Sequence, residues 1–153
     1  MIRFANPGDR DAVNALRRQV NDLHVAGRPD IFKPGFGPEI QAYVDLYLRG
    51  ENGYAAVAEE EGRIAGMVMA DYIDRPESPY NLPRRFVHIA EICVDAGCRG
   101  RGVGRQLMAF VQQDAREKGF PRIELDVWAF NDALGFYESI GFTTFRRFLE
   151  MEL

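Results

Sequence analysis

The sequence predicts a single α/β domain, on three observations. At 153 residues the chain has the length of one domain, enough to bury about two-thirds of the surface its unfolded form would expose. Along it, apolar residues switch several times between every-second spacing, which suits strands, and three-to-four spacing, which suits helices. Over residues 86–116 a β-branched and aromatic run, a glycine-spaced turn and a helical pattern follow one another without interruption.

In order, residues 2–4 alternate as a short strand, and Asn6-Pro7-Gly8-Asp9 is a helix-start signal with proline placed for the first turn. Val13, Leu16, Val20 and Leu23 form one apolar stripe, so a helix is expected to about His24 or Val25, with Gly27 breaking it. Residues 26–38, with three prolines and three glycines around Phe32 and Phe36, read as an irregular segment whose aromatics need a surface to cover. Ile40, Tyr43, Val44, Tyr47 and Leu48 mark a helix over 39–48, closed by Gly50. Residues 54–58 and 64–72 are strand-like around a charged hairpin turn, and residues 74–85, with Pro76, Pro79 and Pro83, read as a mobile loop bordering a site.

Residues 86–94 follow as a buried strand, then Arg99-Gly100-Arg101-Gly102-Val103-Gly104, then a helix whose inner face is Val103, Leu107, Phe110 and Val111. Gly119 ends that helix and Pro121 forbids its continuation. Residues 123–128 alternate as a fifth strand, Asn131 caps a short helix, Gly141 ends it, and Phe142 opens a last strand toward Leu153.

Composition narrows the function classes. The chain is 46% hydrophobic and 27% charged, ordinary for a globule, and a net charge of −4 gives no reason to expect a nucleic-acid partner. No basic-then-apolar leader opens the sequence and no eighteen apolar residues run together, so a cytoplasmic protein without a membrane partner is expected. Cys93 and Cys98 lack a second Cys or His pair to complete a zinc site, so no metal is expected. They read as structural thiols, the alternative being that one carries an acyl group covalently.

A strand, a glycine-rich turn and a helix start bring several backbone N–H groups together with no β-carbons in the way, and Arg99, Arg101 and Arg105 add positive charge. That is a socket for an anion, or else a tight turn whose glycines serve only backbone geometry. A Walker A loop would need lysine and serine or threonine where Arg105 and Gln106 stand, and a Rossmann fingerprint would need glycine at Leu107. The run instead matches Arg/Gln-x-x-Gly-x-Gly/Ala through Arg99, Gly102 and Gly104. It resembles the acetyl-coenzyme A pyrophosphate loop of the GNAT superfamily of N-acetyltransferases. Ala90-Glu91-Ile92-Cys93-Val94-Asp95 resembles that family's fourth strand, and Asn131 with Tyr137-Glu138-Ser139-Ile140-Gly141-Phe142 its last helix and turn, so the likeness spans roughly residues 86–142.

The resemblance implies a GNAT fold, with a mixed, mostly antiparallel sheet of six or seven strands flanked by about four helices. It implies acetyl-CoA as cosubstrate and direct transfer, in a ternary complex, to a primary amine borne by a small molecule or a protein. The cofactor would be held by Arg99, Gly100, Arg101, Gly102, Val103, Gly104 and Arg105, and by main-chain groups of Ile92, Cys93 and Val94 where the fourth and fifth strands splay apart. Asn131 would hydrogen-bond the cofactor arm, unless it serves only as a cap. By the same resemblance His24, Arg28, Asp30, Phe32 and Tyr43 are candidates to touch the acceptor, or only cap and cover the core.

The chemistry needs a neutral amine, a stabilised oxyanion and a proton for the departing thiolate. Amines have pKa values from about 8 to about 10.4 and most arrive charged, so a proton must leave, and a carboxylate could drain it directly or through water. Glu91 and Asp126 are the two placed to do so. Tyr137 matches the family's general-acid tyrosine, since a phenol of pKa about 10 is protonated beside a leaving thiol of about 8.5. His88, mid-strand among apolar neighbours, reads as a satisfied core histidine, and Trp128 as packing. A non-catalytic CoA-binding sensor or partner module is the rival reading; it would keep the glycine loop without depending on Tyr137, Glu91 or Asp126. The last strands could pair across a two-fold axis, giving a homodimer.

Overall fold

A computed structural model describes all 153 residues. One sheet runs in chain order through β1 (Ile2–Phe4), β2 (Gly53–Glu60), β3 (Arg63–Arg75), β4 (Arg84–Val94) and β5 (Ile123–Glu124). The first three junctions are antiparallel and the last is parallel. The sheet is therefore mixed and mostly antiparallel as expected, but it has five strands rather than six or seven. The helices are α1 (Arg10–Gly27), α2 (Pro38–Ala42), α3 (Val44–Leu48), α4 (Val103–Glu117) and α5 (Leu134–Ser139). None is long and apolar enough to cross a membrane.

Each departure from the expected elements has a local cause. The helix over 39–48 divides at Tyr43, where the amide bonds back only three residues, to Ile40. The loop expected over 74–85 shrinks to residues 76–83, because β3 and β4 stay paired as far as Arg75 with Arg84. The strand expected toward Leu153 does not form. Residues 143–153 leave Phe145, Phe148, Leu149, Met151 and Leu153 exposed, and the two-residue β5 offers them no edge to pair with.

Both faces of the sheet are covered, which is why β2 reads as a continuous apolar run rather than an alternation. On one face Tyr54, Ala56, Val68, Val87 and Ile89 pack against Val103, Leu107, Met108 and Val111 of α4. On the other, Val57, Met67, Met69 and Cys93 meet Val13 and Leu16 of α1 and Val44 and Tyr47 of α3. α1 is launched by Asn6, whose side chain accepts from Gly8 N–H while Asp9 accepts from Asn6 N–H. Arg3 clamps Asp9 with two hydrogen bonds of 2.7 and 2.9 Å, and that guanidinium holds the Asp9 carboxyl below its usual range.

A bulge in β4 decides what the site looks like. Met69 faces Glu91 across the sheet but its neighbour Ala70 faces Ile89, leaving Ala90 as the extra residue. Consequently Ile89 and Ile92 both pack toward α4, while Ala90 and Glu91 both turn toward α1. On the other flank, β2 begins at Gly53, where an added Cβ would stand 2.3 Å from Ala70 O and 3.1 Å from Asp71 Cα. Those are backbone atoms that cannot rotate away. Gly53→Ala is therefore expected to cost about 1–3 kcal/mol or more in chemical denaturation, through displacement of β3 beside Asp71; an unchanged midpoint would refute the clash.

Candidate active site

The glycine-spaced loop is built as an open anion socket. After the 3₁₀ turn Ala96–Cys98, Gly100 (φ 76°) and Gly102 (φ 82°) take left-handed conformations that only glycine adopts without strain. Gly102 is the N-cap of α4 and no side chain caps that helix. As a result the backbone N–H groups of residues 99–105 donate to no protein acceptor. Nothing lies within 4 Å of where a Cβ of Gly100 or Gly102 would be. None of Arg99, Arg101 and Arg105 pairs with a carboxylate. Arg99 Nε reaches only Val94 O at 3.3 Å, and Arg105 donates to Ser139 Oγ at 2.9 Å. Free backbone amides on one loop, carried beside guanidinium groups that no carboxylate neutralises, suit a phosphate-bearing ligand.

Beside the socket β4 loses its neighbour. Pairing with β5 is confined to Val87 with Ile123 and His88 with Glu124, so residues 123–128 form a strand only over their first two positions. From Ile89 to Val94 the β5-facing side of β4 has no strand partner. Ile92, Cys93 and Val94 thus sit on a free strand edge, as the sequence reading required. The Cys93 thiol is buried, and burial pushes its pKa up to about 11, which disfavours the thiolate an acyl carrier would need.

Tyr137 is brought to the same place. α5 lies on the first turn of α4: an added Cβ at Gly104 would be 3.1 Å from the Phe136 ring, and Arg105 bonds Ser139. Tyr137 is 8% exposed, edge-on to Phe136 at 5.3 Å and to Phe142 at 5.7 Å. Burial raises its pKa above the usual phenol value. Its hydroxyl has no protein partner, and the sole fully enclosed unpartnered side-chain oxygen is that of Tyr54, so the Tyr137 hydroxyl keeps an opening to solvent. Asn131 Oδ1 accepts from Ala133 N–H at 2.9 Å and so shapes the turn into α5 while its amide nitrogen stays free.

The carboxylates are not equivalent. Both oxygens of Glu91 accept from Arg17, Nε and Nη2 each at 3.1 Å. Asp126 is open to solvent and stands 3.8 Å from His88 Nε2, whose Nδ1 lies 3.5 Å from Asp71. His88 is therefore not a core histidine: it is a third exposed and faces two carboxylates. The expected acceptor residues divide as well. His24 stacks on Phe32 at 5.1 Å, Phe32 meets Trp128 edge-on at 5.3 Å, and burial lowers the His24 pKa. Tyr43 lies over Arg17 and its hydroxyl meets that of Tyr47 at 3.2 Å. Arg28 and Asp30 instead bind each other, and Arg28 also binds Glu150.

The sequence reading assigns no role to Arg17, Asp71 or Phe130 and reads His88 as core. Arg17 had a signal, since it falls inside the Val13, Leu16, Val20 stripe; Phe130 had none, being placed by the close approach of its ring to Gly27. A cleft of about 460 Å³ opens elsewhere, beside Arg3, Asp9, Glu59 and Arg63. Arg3 there is engaged by Asp9 and Glu59, whereas Arg63 has no carboxylate partner.

Comparison with known proteins agrees with this geometry. Residues 18–142 match the model of the acetyltransferase (GNAT) family. Human N-acetyltransferase 8B is 33% identical over 113 residues, 65% of this chain but 48% of that protein, so the matched stretch is about half the relative's length. The structure matches that of a mutant of the BH1408 protein from Bacillus halodurans with a TM-score of 0.95 at 30% identity, over 100% of this chain and 99% of that one. It also matches AAC(6')-Iy, solved in complex with the bisubstrate analogue CoA-S-monomethyl-acetylneamine, in fold: TM-score 0.78 at 21% identity, over 100% of this chain and 97% of that one.

Proposed function

Because the chain belongs to the acetyltransferase (GNAT) family, we propose that it moves an acetyl group from acetyl-CoA to a primary amine by direct attack in a ternary complex. The carrying observation is the row of undonated N–H groups at residues 99–105 opening onto an unpaired edge of β4. A CoA diphosphate would be held by these amides, with Arg99 and Arg101 adding positive charge on the same loop; no atom lies within 4 Å of a Cβ position at Gly100 or Gly102, which supports this reading. The pantetheine arm would add to the β4 edge at Ile92, Cys93 and Val94, strand to strand, with Asn131 donating from its free amide. AAC(6')-Iy, of the same fold, is solved with a CoA-based analogue, which supports this assignment.

When bound, the cosubstrate supplies an acetyl thioester activated for attack by an amine. The chain's residues do the rest. Tyr137 holds its proton through the neutral range and presents it to the departing sulfur. His24, Phe32 and Tyr43 wall the acceptor side of the sheet, with Glu91 held by Arg17 behind them. Asp126 and Asp71, which no lysine or arginine neutralises, give that side a negative potential, which favours a cationic acceptor.

Calorimetry with acetyl-CoA, followed by thiol release in the presence of a panel of amines, tests the reading. Binding and amine-stimulated release are expected; binding without release would favour the non-catalytic CoA module. Gly102→Val, which forces a β-branched side chain to φ 82° and covers the socket, is expected to weaken acetyl-CoA binding by about tenfold or more. Unaltered affinity would place the diphosphate elsewhere.

A further inference from the structure

We propose that His88, held between Asp71 and Asp126, takes the proton from the incoming ammonium. The inference rests on the acetyl-transfer reading above and deepens it by naming the proton's exit.

His88 stands at the last paired position of β4 before the strand loses β5, two residues short of the Ala90 bulge. Its side chain faces the α1 side of the sheet, directly across from Asp71 of β3. Asp71 Oδ2 lies 3.5 Å from Nδ1, and Asp126 Oδ2 lies 3.8 Å from Nε2. The two carboxylates differ in a way that assigns roles. Asp71 is the more enclosed and, lying beside Nδ1, favours the tautomer with the proton there; Asp126, three-quarters exposed, lies beside Nε2 on the open side. Glu91 is the poorer acceptor, with both oxygens already taken by Arg17.

The step balances. The ammonium N–H bond breaks as Nε2 gains the proton, and the imidazolium is stabilised by both carboxylates until it releases that proton to solvent past Asp126. The freed nitrogen lone pair forms the C–N bond as the C–S bond of the thioester breaks and the Tyr137 proton goes to sulfur; the protonated amide nitrogen then loses its surplus proton to solvent, and the Tyr137 phenolate takes one back from solvent.

The charged groups facing His88 push one way, and burial pushes the other. Asp71 from β3 and Asp126 beyond β5 raise its pKa above the ordinary 6.5, and partial burial lowers it. Glu124, its register partner on β5, is neutralised by Arg84, and Tyr47 of α3 stays protonated because burial raises its pKa. A base with a raised pKa must be deprotonated to act, so kcat/KM is expected to fall as pH drops through a midpoint above 6.5.

The chain has two histidines, and their shifts are opposite, so their proton resonances identify themselves: His88 is expected to titrate above 6.5 and His24 below. His88→Gln is expected to lower kcat/KM by about 10²-fold or more and to flatten the acidic limb, with calorimetric acetyl-CoA binding retained. Asp71→Asn is expected to move the His88 midpoint and the acidic limb to lower pH together. Asp126→Asn, at an exposed position, does so by a smaller amount and serves if Asp71→Asn does not fold. A His88→Gln enzyme with the wild-type rate and limb, or a limb that stays put while the His88 resonance moves, would overturn the proposal and leave acetyl transfer standing. A wild-type protein that binds acetyl-CoA but releases no thiol with any amine would overturn both.

Discussion

Tyr137→Phe is expected to lower kcat by about 10²- to 10⁴-fold while leaving acetyl-CoA affinity and the unfolding midpoint near their wild-type values. Phenylalanine fills the same space between Phe136 and Phe142, and the lost hydroxyl has no protein partner to strand. Only the proton is removed. Because burial holds the Tyr137 pKa above 10, the wild-type profile should show no basic limb from this residue below about pH 10. Stopped-assay kinetics beside equilibrium denaturation separate the two effects. A variant with full kcat would show that the leaving sulfur takes its proton from solvent rather than from Tyr137.

Arg17→Met is expected to produce the largest loss of stability, about 3–5 kcal/mol by urea denaturation. The guanidinium is almost wholly buried and joins three elements: two bonds to Glu91 on β4, one of 2.9 Å to Asn14 on α1, and one of 2.8 Å to Ile40 O on α2. Its plane also lies within 5.7 Å of the Phe36 and Tyr43 ring centroids. Methionine keeps the volume and leaves a carboxylate facing the core without its counter-charge. Glu91 retains 23% exposure, so some water reaches it and the effect should fall near the lower bound, about 3 kcal/mol. The double variant Arg17→Met/Glu91→Leu should recover part of the loss, since neither charge is then left buried. If the single variant unfolds at the wild-type midpoint, the pair is not what fastens α1 to the bulge.

The sequence made the cofactor side legible because it depends on local rules. Left-handed glycines, a missing cap and a strand before a helix are all written within ten residues, and Gly100, Gly102 and Val103 took the conformations those rules require. The acceptor side depends on long-range register, which spacing alone does not encode. The apolar alternation of β4 slips from Val87 and Ile89 to Ile92 and Val94, and that three-residue step was the trace of the bulge. His88 looked apolar in its surroundings because its neighbours along the chain face the opposite side of the sheet; its real neighbours, Asp71 and Asp126, are 17 and 38 positions away. The strand expected over 123–128 alternated correctly but ran out of partner, and alternation reports faces rather than pairing. Residues 143–153 failed for the same reason.

The absence of a side chain at Gly104 makes one rigid lever of what look like two separate devices. With Phe136 seated where a methyl group would have stood, and Arg105 fastened to Ser139, any tilt of the long helix at its amino end is passed straight to the turn carrying the phenol. On the proposed roles of the loop and the phenol, grip on the carrier's phosphates and aim of the acid would be mechanically one adjustment, so a substitution that retunes one should disturb the other.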